Sequence, residues 1–464
     1  MKSHHIDRLD FKADLLALQQ RFPDTFPYLL ASTAHSLDDL KRNSRYDILM
    51  AHPGERLWLD HRFELHADFS IEGHDFLNNL DEWFRRERDD LTGTSLPFRG
   101  GWFIYMAYEM AQQIEPVLEM PLADSTAPIA IATRVPAAVI IDHVQGCTFI
   151  VAEPQHAGLI ADIRERITSL PISESGPAHI EVSAIDESAI EPYFEQVARI
   201  KRYIFDGDIF QANLSRRWSI RLAQRYDDAA LFASLAESNP ASFACLLKLG
   251  ESSIISSSPE RLVRVEQGVV ETRPIAGTRP RSASAQEDAE LSSVLLSHPK
   301  ERAEHIMLID LERNDLGRVC EPGTVEVDEL LTLESWRHVH HIVSNVKGRL
   351  RREIGPGDVL RAVFPGGTIT GCPKVRCMQI LAEQEREARG AYTGTAGYVN
   401  TDGSMDTNIL IRTLTRLGED ISLRAGGGIV ADSDPQHELL ETRAKAKGML
   451  QVFALDEQIE DQTA

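Results

Sequence analysis

The sequence predicts an α+β protein in which antiparallel sheets carry helices on their outer faces. Two observations carry this expectation. Successive strand-like runs are joined mainly by hairpin turns, not by the helical crossovers a parallel sheet requires. Helical periodicities recur between those hairpins, most densely from Ile190 onward. In addition, 42% apolar residues over 464 positions can fill a sizeable core, in one large unit or up to about three domains.

Residues 1–170 read as an irregular α/β region. DFLNNLDEWFRRERDDL (75–91) has apolar residues at helical spacing, and AAVIIDHVQGCTFIVAE (137–153) is a hairpin about a Gln-Gly turn. HAGLIADIRERITSL is helical. The segment PISESGPAHIEVSAIDES (171–188) is polar and turn-rich and is the expected linker.

Residues 189–456 form the second region. EPYFEQVARIKRYIFDGDIF is a helix; FACLLKLG, SSIISS and RLVRVEQGVVETRP are strands, the last with a tight Gln-Gly turn. A long helix is expected from about 285 to 305, and another over PKVRCMQILAEQEREA (373–388). TGTAGYVN, DTNILIRTLTRL and DISLRAGGGIV are strands, and HELLETRAKAKGMLQVF is the closing helix. Residues 457–464 read as a frayed tail, and no internal repeat is visible.

The formal charge of −22 argues against nucleic acid, whose phosphates would be repelled over much of the surface. A small anionic substrate stays compatible, because a local cationic pocket or a metal outweighs a distant field. No run approaches the ~20 apolar residues needed to cross a bilayer, and MKSHHIDRLDFKADLL lacks an apolar signal core. Five cysteines without a secretion signal suggest reduced thiols in a cytoplasmic protein. Cys372 and Cys377, in GCPKVRC, read as small packing residues.

Several constellations carry possible chemistry. Glu301 and Glu304 in KERAEH, and Glu438 and Glu441 in HELLET, are carboxylates three apart that share a helix face. Brought together they would offer the hard oxygen ligands magnesium takes; as two solvated acidic faces they would do nothing. Arg412, in the otherwise neutral run NILIRTLT, needs a counter-ion. Lys445 follows Glu441 by four, so a helical ion pair is its plain explanation. AGGGIV (425–430) offers backbone N–H groups to a carboxylate but lacks the Lys-Ser/Thr of a phosphate loop. HVHH (338–341) suggests zinc, yet no further ligand is spaced to match. SSSPERL (256–262) puts Glu260 at a strand end, suited to acid catalysis or to a plain pair with Arg261 or Arg264. ETRPIAGTRPR (271–281) has the composition of a rigid anion-binding loop, with the unreactive Ala276 at its centre.

Taken together, the strings GDIFQANLS, SSSPERL, ETRPIAGTRPR, KERAEHIMLIDLERNDLGRV, HHIVSNV, FPGGTITGCPKVRCMQIL, GAYTGTAGYV, IRTLT, AGGGIVADSD and HELLETRAKAKGML occur in the order found in the chorismate-utilising enzymes. The chain resembles this family, which contains anthranilate synthase component I and aminodeoxychorismate synthase component I. The resemblance covers about 185–455 and continues more weakly through LLAS, SRYDIL and PFRGGWFIYMAYE. It implies two large antiparallel β-sheets packed as a sandwich with helices outside, and a magnesium-dependent chorismate site. It also implies roles for individual residues. Glu304 and Glu441 match metal ligands, with Glu438 their neighbour; Arg412 and Tyr392 match groups that hold the enolpyruvyl carboxylate. Gly426, Gly427 and Lys445 match the substrate-anion pocket, while Thr368, Gly277 and Thr278 line the ring. His341 matches the site histidine, and Glu260 the acid/base facing the departing C4 hydroxyl.

Two positions bear on the branch of the family. Water-adding branches resemble this chain but carry a lysine base at Gln211; a neutral amide cannot deprotonate water, so ammonia is the expected nucleophile. No glutaminase elbow occurs, so ammonia is expected from a separate glutamine amidotransferase subunit or from solution. Ala276 stands where typical aminodeoxychorismate synthases have a lysine, and so resembles anthranilate synthase. FPGGTITG, SRYDIL and HHIVS point the other way, and LLAS has Ala31 where the anthranilate branch usually carries the glutamate of tryptophan feedback. The expected activity is amination of chorismate to 4-amino-4-deoxychorismate, for 4-aminobenzoate and folate biosynthesis. The alternatives are anthranilate synthase and an inactive binding paralogue.

Overall fold

The computed structural model describes residues 4–34, 44–89, 94–122, 127–171, 179–282, 284–297, 299–335 and 339–454. Among the described residues two large sheets dominate, of 13 and 11 strands. The first runs from the edge strand His5–Leu9 through Cys147–Ala152, Ala137–Asp142, Tyr46–Ala51 and Tyr28–Ala31. It continues through Phe243–Leu249, Ser252–Ser258, Thr413–Leu417, Asp420–Ile429, Gln211–Leu222 and Ile180–Glu187 to Phe453–Ala454. The second orders Ile275–Pro280, Val339–Arg349, Val269–Thr272, Arg261–Glu266, Met405–Asn408, Thr395–Asn400, Gly101–Met106, Ala130–Val135, Arg56–Leu59 and Leu65–Ala67. Neighbours are antiparallel except Ile180–Glu187 beside Phe453–Ala454. The expected α+β sandwich is therefore what forms.

Alternation along each strand separates three layers of core. Between the sheets lie Tyr28, Ile48, Met50 and Ile140 of the first with Phe103, Tyr105, Ile131 and Val135 of the second. The Tyr28 and Phe103 rings stack across the gap at 3.7 Å between centroids. Outside the first sheet, Leu18, Ile163, Leu231, Ala446 and Met449 bring helices onto it; outside the second, Phe76, Trp83, Ile309 and Leu360 do the same.

Residues before and after the expected linker share both sheets, so the two regions are not separate layers. Ile180–Glu187, in the second half of that linker, is a strand paired with Gln211–Leu222; 172–178 and the tail 457–464 lie outside the described residues. The expected helix at 285–305 is two helices, Ala285–Ser297 and Pro299–Gly317, the second opened by a proline suited to a first turn. ETRPIAGTRPR is not a loop: Ile275–Pro280 is a strand paired with Val339–Arg349. That pairing partner lies some sixty residues on, so local composition could not reveal it. Among the described residues, no helix is long and apolar enough to cross a membrane.

Candidate active site

The chain crosses from the first sheet to the second between Ser252–Ser258 and Arg261–Glu266, and Glu260 sits on that crossing. It crosses back between Met405–Asn408 and Thr413–Leu417, and Arg412 sits there, between strands and not within one as its sequence context suggested. The crossings are tied together: Ile409 N–H donates to the Glu260 carbonyl and Ser257 N–H to the Arg412 carbonyl, each at 3.0 Å. Two opposite charges are thus delivered side by side into the interior.

Glu260 is buried, and Thr368 Oγ1 donates a 2.7 Å hydrogen bond to its Oε1. Burial pushes the carboxyl up to about 7; Thr368 and the charges of Arg412 and Lys445 pull the other way without reversing it. Loss of water pushes the Arg412 guanidinium down, with Glu260 opposing. Its hydrogen bond among the described residues is to Asn239 Oδ1, at 3.4 Å. A half-buried cation so lightly satisfied is suited to an incoming anion. Arg412 also has φ of 51°, a conformation costly for a side-chain-bearing residue and frequent at functional sites.

The glycine triplet 426–428 ends the strand Asp420–Ile429. The ladder with Thr413–Leu417 stops at the Leu414–Leu423 pair, whereas Gln211–Leu222 stays paired up to Ile429. One edge of the triplet is therefore open, and Lys445 Nζ donates to the Gly426 carbonyl at 2.9 Å. Glycine is needed here for close approach. A Cβ on Gly426 would stand 2.6 Å from Asn213 Oδ1 and 2.7 Å from the Tyr392 hydroxyl. A Cβ on Gly427 would stand 3.3 Å from Glu438 Oε2 and 3.6 Å from Glu441 Oε1. Successive strand residues face opposite sides. Tyr392 and Asn213 thus approach one face of the triplet, Glu438 and Glu441 the other, while the Gln211 amide lies against Gly428 on the Asn213 side.

Gly277, with φ of 71°, occupies a bulge between the pairs Ala276–Ile342 and Thr278–His341. The bulge turns His341 toward the Gly277 backbone, with which it hydrogen bonds. Burial first, and the Arg412 charge second, push the imidazole down to about 4, so it is neutral at neutral pH. The side chains of Ala276, Thr278 and Glu301, and all of His338, lie outside the described residues. His340 pairs with Asp288 at 3.0 Å.

The proposed metal ligands are brought together in part. Glu438 and Glu441, on the helix Pro435–Leu450, converge on Gly427, and Glu441 also pairs with Lys445 at 2.7 Å. Glu304 lies on Pro299–Gly317; Glu304, Glu438 and Glu441 do not bring one oxygen each within 4.8 Å of one another. The group that does so among the described residues is Asp60, Glu64 and His66, on a distant hairpin. Two converging carboxylates still suit magnesium, which binds one or two and keeps its waters.

Sequence reasoning missed Asn213, Asn239 and Glu312. Asn213 had a signal, standing two residues after Gln211 and so on the same strand face. Asn239, the residue beside Arg412, ends the helix Asp228–Ser238 and had none. Glu312 is buried beside Gly367, and burial, with the Asp315 charge second, pushes its carboxyl well above the usual range. A cavity of about 1040 Å³ lies apart from this cluster, lined by Leu30, Ala31, Tyr46, Phe243 and Tyr398 among others. Ala31, singled out in the sequence, borders that cavity and not the Glu260 site.

A family model described as chorismate binding enzyme matches residues 42–451. The chain is 42% identical to an anthranilate synthase component I-like protein of Synechocystis, over 76% of this chain and 73% of that one. It is 37% identical to aminodeoxychorismate synthase component 1 of Bacillus subtilis, over 83% of each. Its fold matches the crystal structure of anthranilate synthase component I from Streptococcus pneumoniae with a TM-score of 0.78 and 31% identity, covering 88% and 92% of the two chains. With buried acid, desolvated arginine and glycine edge assembled inside such a sandwich, the chain belongs to the chorismate-binding enzyme family.

Proposed function

We propose that the protein aminates chorismate to 4-amino-4-deoxychorismate, as an aminodeoxychorismate synthase component I. The observation that carries the reading is Glu260: a buried carboxyl at about 7, oriented by Thr368 and close to two cations. A ring hydroxyl leaves poorly as hydroxide and well as water, so the site needs an acid that keeps its proton near neutral pH and gives it up on demand. Arg412 and Lys445 supply positive charge for the two carboxylates of chorismate inside a chain of net charge −22. Ammonia forms the new C–N bond, the C–O bond breaks toward the hydroxyl, Glu260 protonates it, and the surplus proton on the added nitrogen restores Glu260.

Glu438 and Glu441, which converge on Gly427, would hold magnesium with waters completing its shell, while Glu304, the third expected ligand, does not join them within 4.8 Å. When bound, the ion withdraws electron density from the ring through its carboxylate. In place of a lysine at Ala276, a first ammonia takes the position at C2 as the C4 hydroxyl leaves as water; a second ammonia then forms the C4–N bond as the C2 amine leaves as ammonia, with Glu260 giving the proton to each leaving group and regaining it from each added nitrogen. The "component 1" in relatives' names supports a separate partner, for which a glutamine amidotransferase supplying ammonia is the proposed identity. The pyruvyl ether stays on the product.

Ala276 and the Synechocystis and Streptococcus relatives favour a second reading, anthranilate synthase, in which pyruvate is eliminated in the same site. One experiment separates them: purified protein with chorismate, magnesium and ammonium salt, product identified by mass and fluorescence. A product yielding 4-aminobenzoate only after a lyase is added supports the first reading; anthranilate emission overturns it. Loss of chorismate consumption in EDTA, restored by magnesium, separates either enzyme from a binding paralogue.

A further inference from the structure

Asn239 ends the helix Asp228–Ser238 and stands beside Arg412. Its backbone is fully used: N–H donates to the Leu235 carbonyl at 2.9 Å, and the carbonyl accepts from Ser257 Oγ. Ser257 N–H in turn donates to the Arg412 carbonyl at 3.0 Å, so one serine ties both residues to the same strand end. The side chain also meets the helix Pro435–Leu450, where a Cβ on Gly448 would stand 3.3 Å from Asn239 Oδ1.

The facing of the amide is fixed by its neighbour. A guanidinium only donates, so the atom that meets Arg412 Nη1 at 3.4 Å is the carbonyl oxygen Oδ1. Nδ2 is left as a donor, shielded from solvent and with no hydrogen-bond partner among the described residues. An unmet donor in such a place costs free energy. Here it stands next to a half-buried guanidinium that is itself short of acceptors.

Two donors side by side, one of them cationic, call for a negative acceptor with more than one oxygen. Within the amide, Oδ1 and Nδ2 are about 2.3 Å apart, so Nδ2 lies within about 6 Å of Nη1. The two oxygens of one carboxylate, each accepting at about 2.9 Å, bridge that span. Water at Nδ2 would leave the guanidinium charge uncompensated, and Glu260 opposes that charge only in part, since burial holds its carboxyl up at about 7. We infer that Asn239 is a further substrate-binding residue: Oδ1 turns the Arg412 guanidinium, and Nδ2 donates to the carboxylate that Arg412 grips. This rests on the reading above, in which Arg412 receives a carboxylate of chorismate, and it holds for either product.

The test is chorismate binding by calorimetry, with magnesium and no ammonium salt, on variants checked for folding by urea unfolding. Asn239→Leu removes both bonds at similar size, and Kd for chorismate should rise about tenfold. In an Arg412→Gly background the same change should still raise Kd about three- to tenfold, because the amide meets the carboxylate itself. No further rise there would overturn the donor role and leave Asn239 acting through Arg412 alone. An unchanged Kd in the single variant would overturn the whole proposal. Asn239→Asp in the glycine background covers a leucine variant that does not fold. It keeps an oxygen at the helix end, has no arginine left to neutralise, and should raise Kd by repelling the carboxylate; an equal Kd there would also overturn the proposal. A wild-type protein that binds no chorismate, or an Arg412→Gly variant that binds it as well as wild type, marks failure of the site reading instead.

Discussion

Thr368 Oγ1 donates a 2.7 Å hydrogen bond to Glu260 Oε1, joining the short turn Gly367–Ile369 to the crossing between the two sheets. The bond favours the ionised carboxyl, yet burial outweighs it and leaves the group near 7. Thr368→Val should therefore move the alkaline limb of kcat/KM upward in pH and lower the rate about tenfold through lost orientation. A limb that stays put would show that the bond does not reach the reacting group.

Glu260→Gln should lower kcat/KM by about 10² to 10⁴ and abolish that limb. It should also stabilise the fold. The native carboxyl keeps its proton between its ordinary value of 4.5 and about 7, where the unfolded chain has lost it. The native state then binds more protons, so stability falls as pH rises through that window and stays low above it. At pH 8 the glutamine variant should be more stable by about 3 kcal/mol, and at pH 4 by nothing. Urea unfolding at the two pH values checks this; equal stability at pH 8 would mean the carboxyl is not held out of water.

Arg412 is expected to grip a carboxylate from a backbone conformation that suits glycine. Arg412→Gly and Arg412→Ala should both raise KM for chorismate about 10- to 100-fold. The glycine variant should be about 1 kcal/mol more stable than the alanine one, which keeps the strain that φ of 51° already imposes on Arg412. Measuring KM and unfolding in parallel separates the two effects, and a glycine variant with normal KM would remove Arg412 from the binding site.

Ala276 lies on a strand next to the Gly277 bulge and His341. Ala276→Lys should change rate or product, and a covalent chorismate adduct should be visible by intact mass. Indifference to the change would place position 276 away from the ring.

Glu441 shares Gly427 with Glu438 and shares its charge with Lys445. Glu441→Gln should raise the magnesium concentration needed for half-maximal activity at least about tenfold. An unchanged magnesium requirement would assign Glu441 to the ion pair alone.

Much of the fold was legible locally. Hairpin turns at Gln-Gly pairs, period-two strands and period-3.6 helices gave the antiparallel class, because those signals depend on a few consecutive residues. Two segments misled for one reason. ETRPIAGTRPR looks like a loop because arginine, proline and glycine disfavour strands, but hydrogen bonds to Val339–Arg349 override that preference. Arg412 looked like a strand residue because its neighbours are apolar and β-branched, but the strand ends at the sheet crossing.

The sequence by itself determined the chemistry on offer: the carboxylates, the arginine, the glycine triplet and a neutral amide at Gln211. Residue types and their order along the chain are enough to specify that inventory. Tertiary structure alone decided how the inventory behaves. Burial set the proton affinity of Glu260 and His341, adjacent sheet crossings brought Glu260 beside Arg412, and strand alternation put Asn213 and the Glu438–Glu441 pair on opposite faces of one glycine edge. Desolvation and facing depend on what the rest of the chain packs around a residue, and no short stretch of sequence carries that information.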